Sequence, residues 1–174
     1  RLARDRMGTT LVMALIIGAQ IYIAHVGDSR AYLVSSNSCR QITFDDDVAA
    51  REVRLGYGFY ADVVNRPGTG ALIKALGMGP SAALHVSVQR LVLDDDLVLL
   101  LCSDGLSDYD RVEQSWATYL LPLLNGHSNA QSQVTAAVSD LVQLANTYNG
   151  HDNVTVGAIA GQIQTLQTPL VPIL

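Results

Sequence analysis

Three short segments carry carboxylates where an apolar run gives way to a loop: Gly27-Asp28-Ser29-Arg30, Ser103-Asp104-Gly105-Leu106-Ser107-Asp108 and Gly150-His151-Asp152-Asn153-Val154-Thr155. Asp104 follows one very apolar run and Asp152 precedes another. If those runs are neighbouring strands, both carboxylates emerge at the same sheet edge, where like charges in close contact cannot both stay ionised without a cation. Oxygen ligands suit the hard divalent ions Mg²⁺ and Mn²⁺, and a pair of such ions can activate a water and neutralise a phosphoryl oxygen together. Taken singly, the same residues have plainer uses. Asp28 and Asp152 serve as turn formers, and Asp108 or Asp110 as a helix N-cap.

The carboxylates need a sheet to hold them, and the surrounding pattern supplies strands. Residues 10–17 and 21–26 are rich in β-branched side chains and flank a turn at Gly18-Ala19-Gln20. Residues 7–27 hold no Asp, Glu, Lys or Arg and follow a basic stretch, which superficially imitates a membrane span, but two strands joined by a tight turn explain the segment better. Residues 30–35 form a third strand beyond the Gly27-Asp28-Ser29 turn, so a three-stranded antiparallel meander is expected, with a short fourth strand at 40–43. Asp45-Asp46-Asp47 favours the start of a helix over 48–53. Residues 85–93 and 97–101, separated by Asp94-Asp95-Asp96, read as a central hairpin.

The last third changes period. Asp110-Arg111-Val112-Glu113 has the form of a capped helix start, and Val112, Trp116, Tyr119, Leu120 and Leu123 follow on one face until Pro122 ends or kinks the helix. Val134, Val138, Leu141 and Ala145 mark a second helix, closed by Asn149-Gly150. Residues 153–160 return to strand. One domain is expected over 1–162, followed by a tail or linker at 163–174 that contains Pro169 and Pro172.

Composition narrows the function classes. At 174 residues the chain is long enough to bury a core without disulfides or a structural metal. Its 49% hydrophobic and 16% charged content, with mean hydropathy +0.23, excludes disorder. A net charge of −5 and pI near 5.1 speak against a general nucleic-acid binder. Cys39 and Cys102 have neither metal-ligand spacing nor a disulfide pattern, which favours a reducing, cytoplasmic setting, and Cys102 reads as a small buried hydrophobe. The histidines are read blandly: His25 as a core or rim residue, His151 as a neighbour of Asp152 whose lesser reading is reach to a metal-bound water, and His85 and His127 as carrying no signal.

Gly8-Thr9-Thr10, Gly27-Asp28-Ser29-Arg30-Ala31-Tyr32, Ala75-Leu76-Gly77, Ser103-Asp104-Gly105-Leu106 with Asp108, and Gly150 with Asp152-Asn153 and Thr155 occur in this order. In order and interval they resemble the PPM or type 2C protein serine/threonine phosphatases, most of all the bacterial branch. The likeness runs from Met7 to Gln162. It implies an α+β, four-layer α-β-β-α sandwich, two antiparallel sheets flanked by helices, with a binuclear Mg²⁺ or Mn²⁺ centre at one edge. It also implies that Asp104 and Asp152 are ligands of the second metal, that Asp28 and Asp108 join Asp104 around a weaker third ion, and that Asn153 supports the neighbouring aspartate. Arg30 is read as structural. Gly8 and Gly105 stand where backbone must bend or approach closely.

The departures from the family are equally definite. The resemblance calls for a phosphate-binding arginine and an Asp-Gly-His-Gly-type segment bearing a bridging aspartate, and neither occurs in residues 1–174. Both are expected upstream of Arg1, so that the chain is the C-terminal two thirds or so of a domain and Arg1 itself is not the phosphate-binding arginine. Asp45-Asp46-Asp47 stands where the family usually has Asp-His-Ser, and Met78 where many eukaryotic members have aspartate; both changes are expected to touch the periphery. The activity implied is metal-dependent hydrolysis of phosphoserine and phosphothreonine in a phosphoprotein partner, with neither nucleic acid nor membrane insertion involved. The alternative is a non-catalytic interaction domain that keeps the fold.

Overall fold

The structure, a computed structural model, describes residues 7–125, 130–150 and 152–162. Two antiparallel sheets stack face to face. One contains β1 (Leu11–Ile17), β2 (Gln20–Val26) and β5 (Ser87–Val92) in the order β1-β2-β5. The other contains β3 (Arg30–Val34), β4 (Cys39–Gln41), β6 (Leu97–Cys102) and β7 (Val156–Gly161) in the order β4-β3-β6-β7. The helices are α1 (Val48–Arg54), α2 (Tyr60–Val63), α3 (Asp104–Ser107), α4 (Arg111–Tyr119) and α5 (Ala130–Asn149). This is the α+β sandwich with flanking helices that the sequence implies.

Side-chain alternation explains which strand lies where. β6 is apolar at every position because both of its faces are covered. Leu97 and Leu99 join Ile21, Ile23, Ala31 and Ile42 between the sheets, while Val98, Leu100 and Cys102 join Tyr32 and Val34 under Val112, Leu120, Leu141 and Ala145 of the α4 and α5 layer. The opposite outer face is dressed with Met13, Leu15, Ile17, Val88 and Val92, all exposed. Helical cover for that face, implied by the family resemblance, is not among the described residues.

Two connections differ from expectation. β2 and β3 are not neighbours: the chain crosses from one sheet to the other at Gly27, so there is no three-stranded meander. Gly27 has φ +102°, and a Cβ there would run into the Thr10 side chain, so only glycine makes this step. Likewise β5 and β6 are not a hairpin, because Asp94-Asp95-Asp96 carries the chain between sheets. Alternation tells which face of a strand is buried and is blind to which sheet it joins. β1 and β2, by contrast, pair from Leu11↔Val26 to Ile17↔Gln20 around Gly18, as expected, and among the described residues no helix is long and apolar enough to cross a membrane.

Of the two helix starts expected to be capped by an acid, one is. Asp47 caps α1, its Oδ1 accepting the Ala50 N–H at 2.6 Å. Asp110 makes no side-chain cap at the start of α4 and takes a left-handed backbone, φ +57°, directly after Tyr109 at φ +59°. His25 is a core residue, as expected, donating from Nε2 to the Phe44 carbonyl at 2.9 Å. His127 and His151 lie outside the described residues. Burial pushes both thiols up to about 12, consistent with Cys102 as a small hydrophobe.

The core between the sheets and the outer face of the three-stranded sheet should respond differently to truncation. Leu99→Ala, between the sheets, should lower unfolding free energy by about 2–5 kcal/mol, whereas Leu15→Ala, on the uncovered face, should change it by less than about 0.5 kcal/mol. Urea denaturation of both variants measures this, and equal losses would place Leu15 in a covered core.

Candidate functional site

Antiparallel pairing brings the acidic segments together. β3 and β7 lie on either side of β6, with Arg30 opposite Cys102 and Cys102 opposite Val156. Asp28 precedes β3, Asp104 follows β6 and Asp152 precedes β7, so all three leave the sheet at the same end. The last two segments are stapled as well. Ser103 N–H donates to the Thr155 carbonyl at 3.0 Å, Ser103 Oγ donates to the Asn153 carbonyl at 3.2 Å, and Thr155 N–H returns to Ser103 Oγ at 3.0 Å. A Cβ at Gly105 would strike the Asn153 carbonyl, which is why glycine follows Asp104.

A pocket of about 610 Å³ opens at this end, lined by Asp28, Asp45, Asp47, Asp104, Asp108 and Asp110. Tyr60 and Asn65 close it on the α2 side. Arg30 forms part of its wall but is fully committed. Nε reaches both Asp45 oxygens at 3.1 and 3.0 Å, Nη2 donates to Asp45 Oδ2 at 2.7 Å, and Nη1 donates to the Tyr32 hydroxyl at 3.1 Å and the Ser107 carbonyl at 3.3 Å. Gln41 Nε2 adds a hydrogen bond to Asp45 Oδ1 at 3.0 Å. Burial opposes the guanidinium charge, and the Asp45 hydrogen bonds outweigh it, so Arg30 is held more firmly protonated than a free arginine.

Burial and neighbouring charge act together on Asp28. Burial first, then the charge of Asp104, with smaller contributions from Asp45 and Asp47, raises its carboxyl from 3.8 to about 6. Asp47 is raised too, mainly by burial, against the lowering effect of its Ala50 hydrogen bond. Such a donor set matches a hard divalent cation in type, since carboxylate oxygens crowded at a sheet end are what Mg²⁺ or Mn²⁺ requires. In number it falls short: among the described residues there is no group of three or more Asp, Glu, His or Cys arranged to hold one ion.

Of the sequence-derived site residues, Asp28, Asp104 and Asp108 share the pocket. Asp152 sits at the same sheet end, exposed and outside the pocket lining, with its Oδ1 accepting the Asn153 N–H at 2.7 Å. Asn153 contributes its backbone carbonyl to Ser103. Arg1, upstream of which the phosphate-binding arginine and the bridging aspartate are expected, lies outside the described residues, and the pocket lining contains neither of those two groups. Asp45 and Asp47, expected to be peripheral, are instead in the pocket wall. The signal that could have found Asp45 is Arg30, a cation in a strand otherwise buried and therefore in need of a partner.

The Asp28 shift fixes a pH signature. The folded carboxyl keeps its proton to about pH 6 and the unfolded one releases it near 3.8, so the folded state binds more protons in that window and loses stability as pH rises through it. Without divalent ion, Asp28→Asn should therefore raise stability at pH 7 by about 1 kcal/mol, allowing for solvent screening, and the gain should vanish below about pH 4. Thermal melts of both proteins across the acidic to neutral range check it, and a gain independent of pH would contradict the assigned repulsion.

Comparison with known proteins agrees with this geometry. The family described as Protein phosphatase 2C matches residues 1–52. Serine/threonine phosphatase stp of Listeria welshimeri is 34% identical over 150 residues, covering 86% of this chain and 55% of the relative. The crystal structure of the Mycobacterium tuberculosis serine/threonine phosphatase PstP/Ppp superposes with TM-score 0.74 at 29% identity, covering 90% of this chain and 61% of that one. The catalytic domain of PstP, solved in complex with two manganese ions, superposes with TM-score 0.63 at 31% identity, covering 90% and 60%. The chain thus spans about half the length of the curated Listeria relative. On sequence and fold together, the chain is similar to the protein phosphatase 2C family, and the relatives it matches are bacterial serine/threonine phosphatases.

Proposed function

We propose that this chain is the part of a metal-dependent protein serine/threonine phosphatase that supplies Asp28, Asp104, Asp108 and Asp152 as metal ligands, the phosphate-binding arginine and bridging aspartate being supplied from upstream of Arg1. The observation that carries the reading is the convergence of Asp28 and Asp104 in one pocket whose arginine is already occupied by Asp45. A relative solved with two manganese ions supports the same ion type. When bound, Mg²⁺ or Mn²⁺ supplies an activated water and positive charge toward the phosphoryl oxygens. The overall reaction forms a bond from a water oxygen to phosphorus, breaks the P–O bond to a serine or threonine oxygen, and returns one of the water's protons to that leaving oxygen.

Within this chain the roles divide by position. Asp104, at the start of α3, and Asp28, on the sheet-crossing turn, both line the pocket and would hold the cation there. Asp108 reaches the pocket from the left-handed turn at Tyr109 and Asp110. Asp152 approaches from the β7 side, tied to Asp104 through the Ser103 staple. Arg30 does not bind phosphate here, because every nitrogen of its guanidinium already donates to protein. We read residues 1–162 as the phosphatase portion, 163–174 as a tail, a phosphoprotein as the partner and the cytoplasm, on the strength of two free cysteines, as the setting. One observation favours a second reading, a non-catalytic interaction domain: the missing three-ligand cluster among the described residues.

A phosphothreonine peptide and Mn²⁺ separate the two. The full-length protein should release phosphate only with added Mn²⁺ or Mg²⁺, and Asp104→Ala or Asp152→Asn should slow it by about 100-fold or more. Residues 1–174 alone should show no turnover. Phosphate release undiminished by chelator would overturn the mechanism, and peptide binding with no release under any ion would favour the second reading.

A further inference from the structure

The turn bearing Asp28 is gripped from beneath by Asp46, a carboxylate only 1% exposed. Asp46 Oδ2 accepts the Gly27 N–H at 3.2 Å, and the Asp46 N–H donates to the Gly27 carbonyl at 3.0 Å. Its Oδ1 takes a hydrogen bond from Lys74 Nζ at 2.7 Å. The Asp46 carbonyl in turn accepts the N–H groups of Ile73 and Lys74, at 2.8 and 3.4 Å. On the far side of the turn, Thr10 Oγ1 and Ser29 Oγ lie 2.8 Å apart, hydrogen-bonded. Gly27 itself, at φ +102°, lies close against Thr10, where an added Cβ would clash.

Lys74 is the only lysine in the chain, beside ten arginines. A carboxylate as deep as that of Asp46 is costly unless paired and hydrogen-bonded, and Lys74 is the cation against it. Charge-assisted hydrogen bonds to an ionised acceptor are shorter and stronger than neutral ones, so the ammonium also firms the grip of Asp46 on the Gly27 N–H. We infer that Lys74, acting through Asp46, is a positioning residue for the Asp28 carboxylate, fixing the turn that presents it to Asp104. The inference rests on the proposed role of Asp28 as a metal ligand. Residues that orient metal ligands from behind typically govern affinity by about 10–100-fold.

Mn²⁺ titration calorimetry on the full-length protein, paired with thermal melts in the absence of metal, tests this with three variants. Lys74→Met should weaken Mn²⁺ binding by about tenfold or more, and Lys74→Arg, which keeps the charge, should recover most of it. The double variant Asp46→Asn with Lys74→Met removes both charges and keeps an acceptor for the Gly27 N–H, so it should melt close to the wild type and still bind Mn²⁺ as weakly as Lys74→Met. That combination of retained stability and lost affinity is what a merely structural ion pair would not produce. If Lys74→Met does not fold, the double variant and Lys74→Arg decide. Unchanged Mn²⁺ affinity in the double variant would overturn the inference alone, and a wild-type protein that binds no Mn²⁺ would overturn the metal reading and the inference with it.

Discussion

A buried guanidinium sets the geometry of the pocket. Arg30 lies at the first position of β3 and donates to Asp45, to the Tyr32 hydroxyl and to the Ser107 carbonyl at the end of α3. One side chain thus joins the central strand, the loop entering α1 and the short helix that begins with Asp104. Removing one member of such a buried pair leaves the other charge uncompensated, typically at about 3–5 kcal/mol. The same pairing has an electrostatic consequence above it. With Arg30 paired to Asp45, the described pocket lining holds no second cation to offset Asp28 and Asp104, and the Asp28 carboxyl is shifted upward by its burial first and by Asp104 second. Among the described residues, the pocket therefore carries more acid than base.

The sandwich makes this arrangement possible because its strands change sheets at the ends where the acids lie. Gly27 turns the chain from β2 into the four-stranded sheet, and Asp28 is the next residue. β6 and β7 then bring Asp104 and Asp152 to the same end through antiparallel pairing, with the Ser103 hydroxyl donating to the Asn153 carbonyl and accepting from the Thr155 N–H. Apolar burial on both faces of β6 fixes its register, and a one-residue slip would exchange Leu99 for Leu100 in two different cores. Packing far from the pocket thereby determines where the carboxylates stand.

Much of this is legible in the residues. The apolar runs around Asp104 and Asp152 announce neighbouring strands with acids at a common edge, and the helices over Val112 and Leu141 follow from 3.6-residue spacing. Pairing across distance is what the residues do not announce. Strand alternation does not reveal that β2 and β3, or β5 and β6, belong to different sheets. Asp45-Asp46-Asp47 looks like a helix start, which only Asp47 is. Asp45 turns inward to an arginine 15 positions earlier and Asp46 to a lysine 28 positions later, separations that no local periodicity encodes. A lone arginine in a buried strand and a single lysine in the whole chain are the available hints, each a charge in want of a partner.

Anomalous diffraction at the manganese edge, from crystals of the full-length protein grown with Mn²⁺, tests the central claim most directly. The convergence of carboxylates at the end of the four-stranded sheet predicts an anomalous peak within coordinating distance of the Asp28 and Asp104 oxygens. Ordered manganese bound only elsewhere, with those two carboxylates left unliganded, would contradict it.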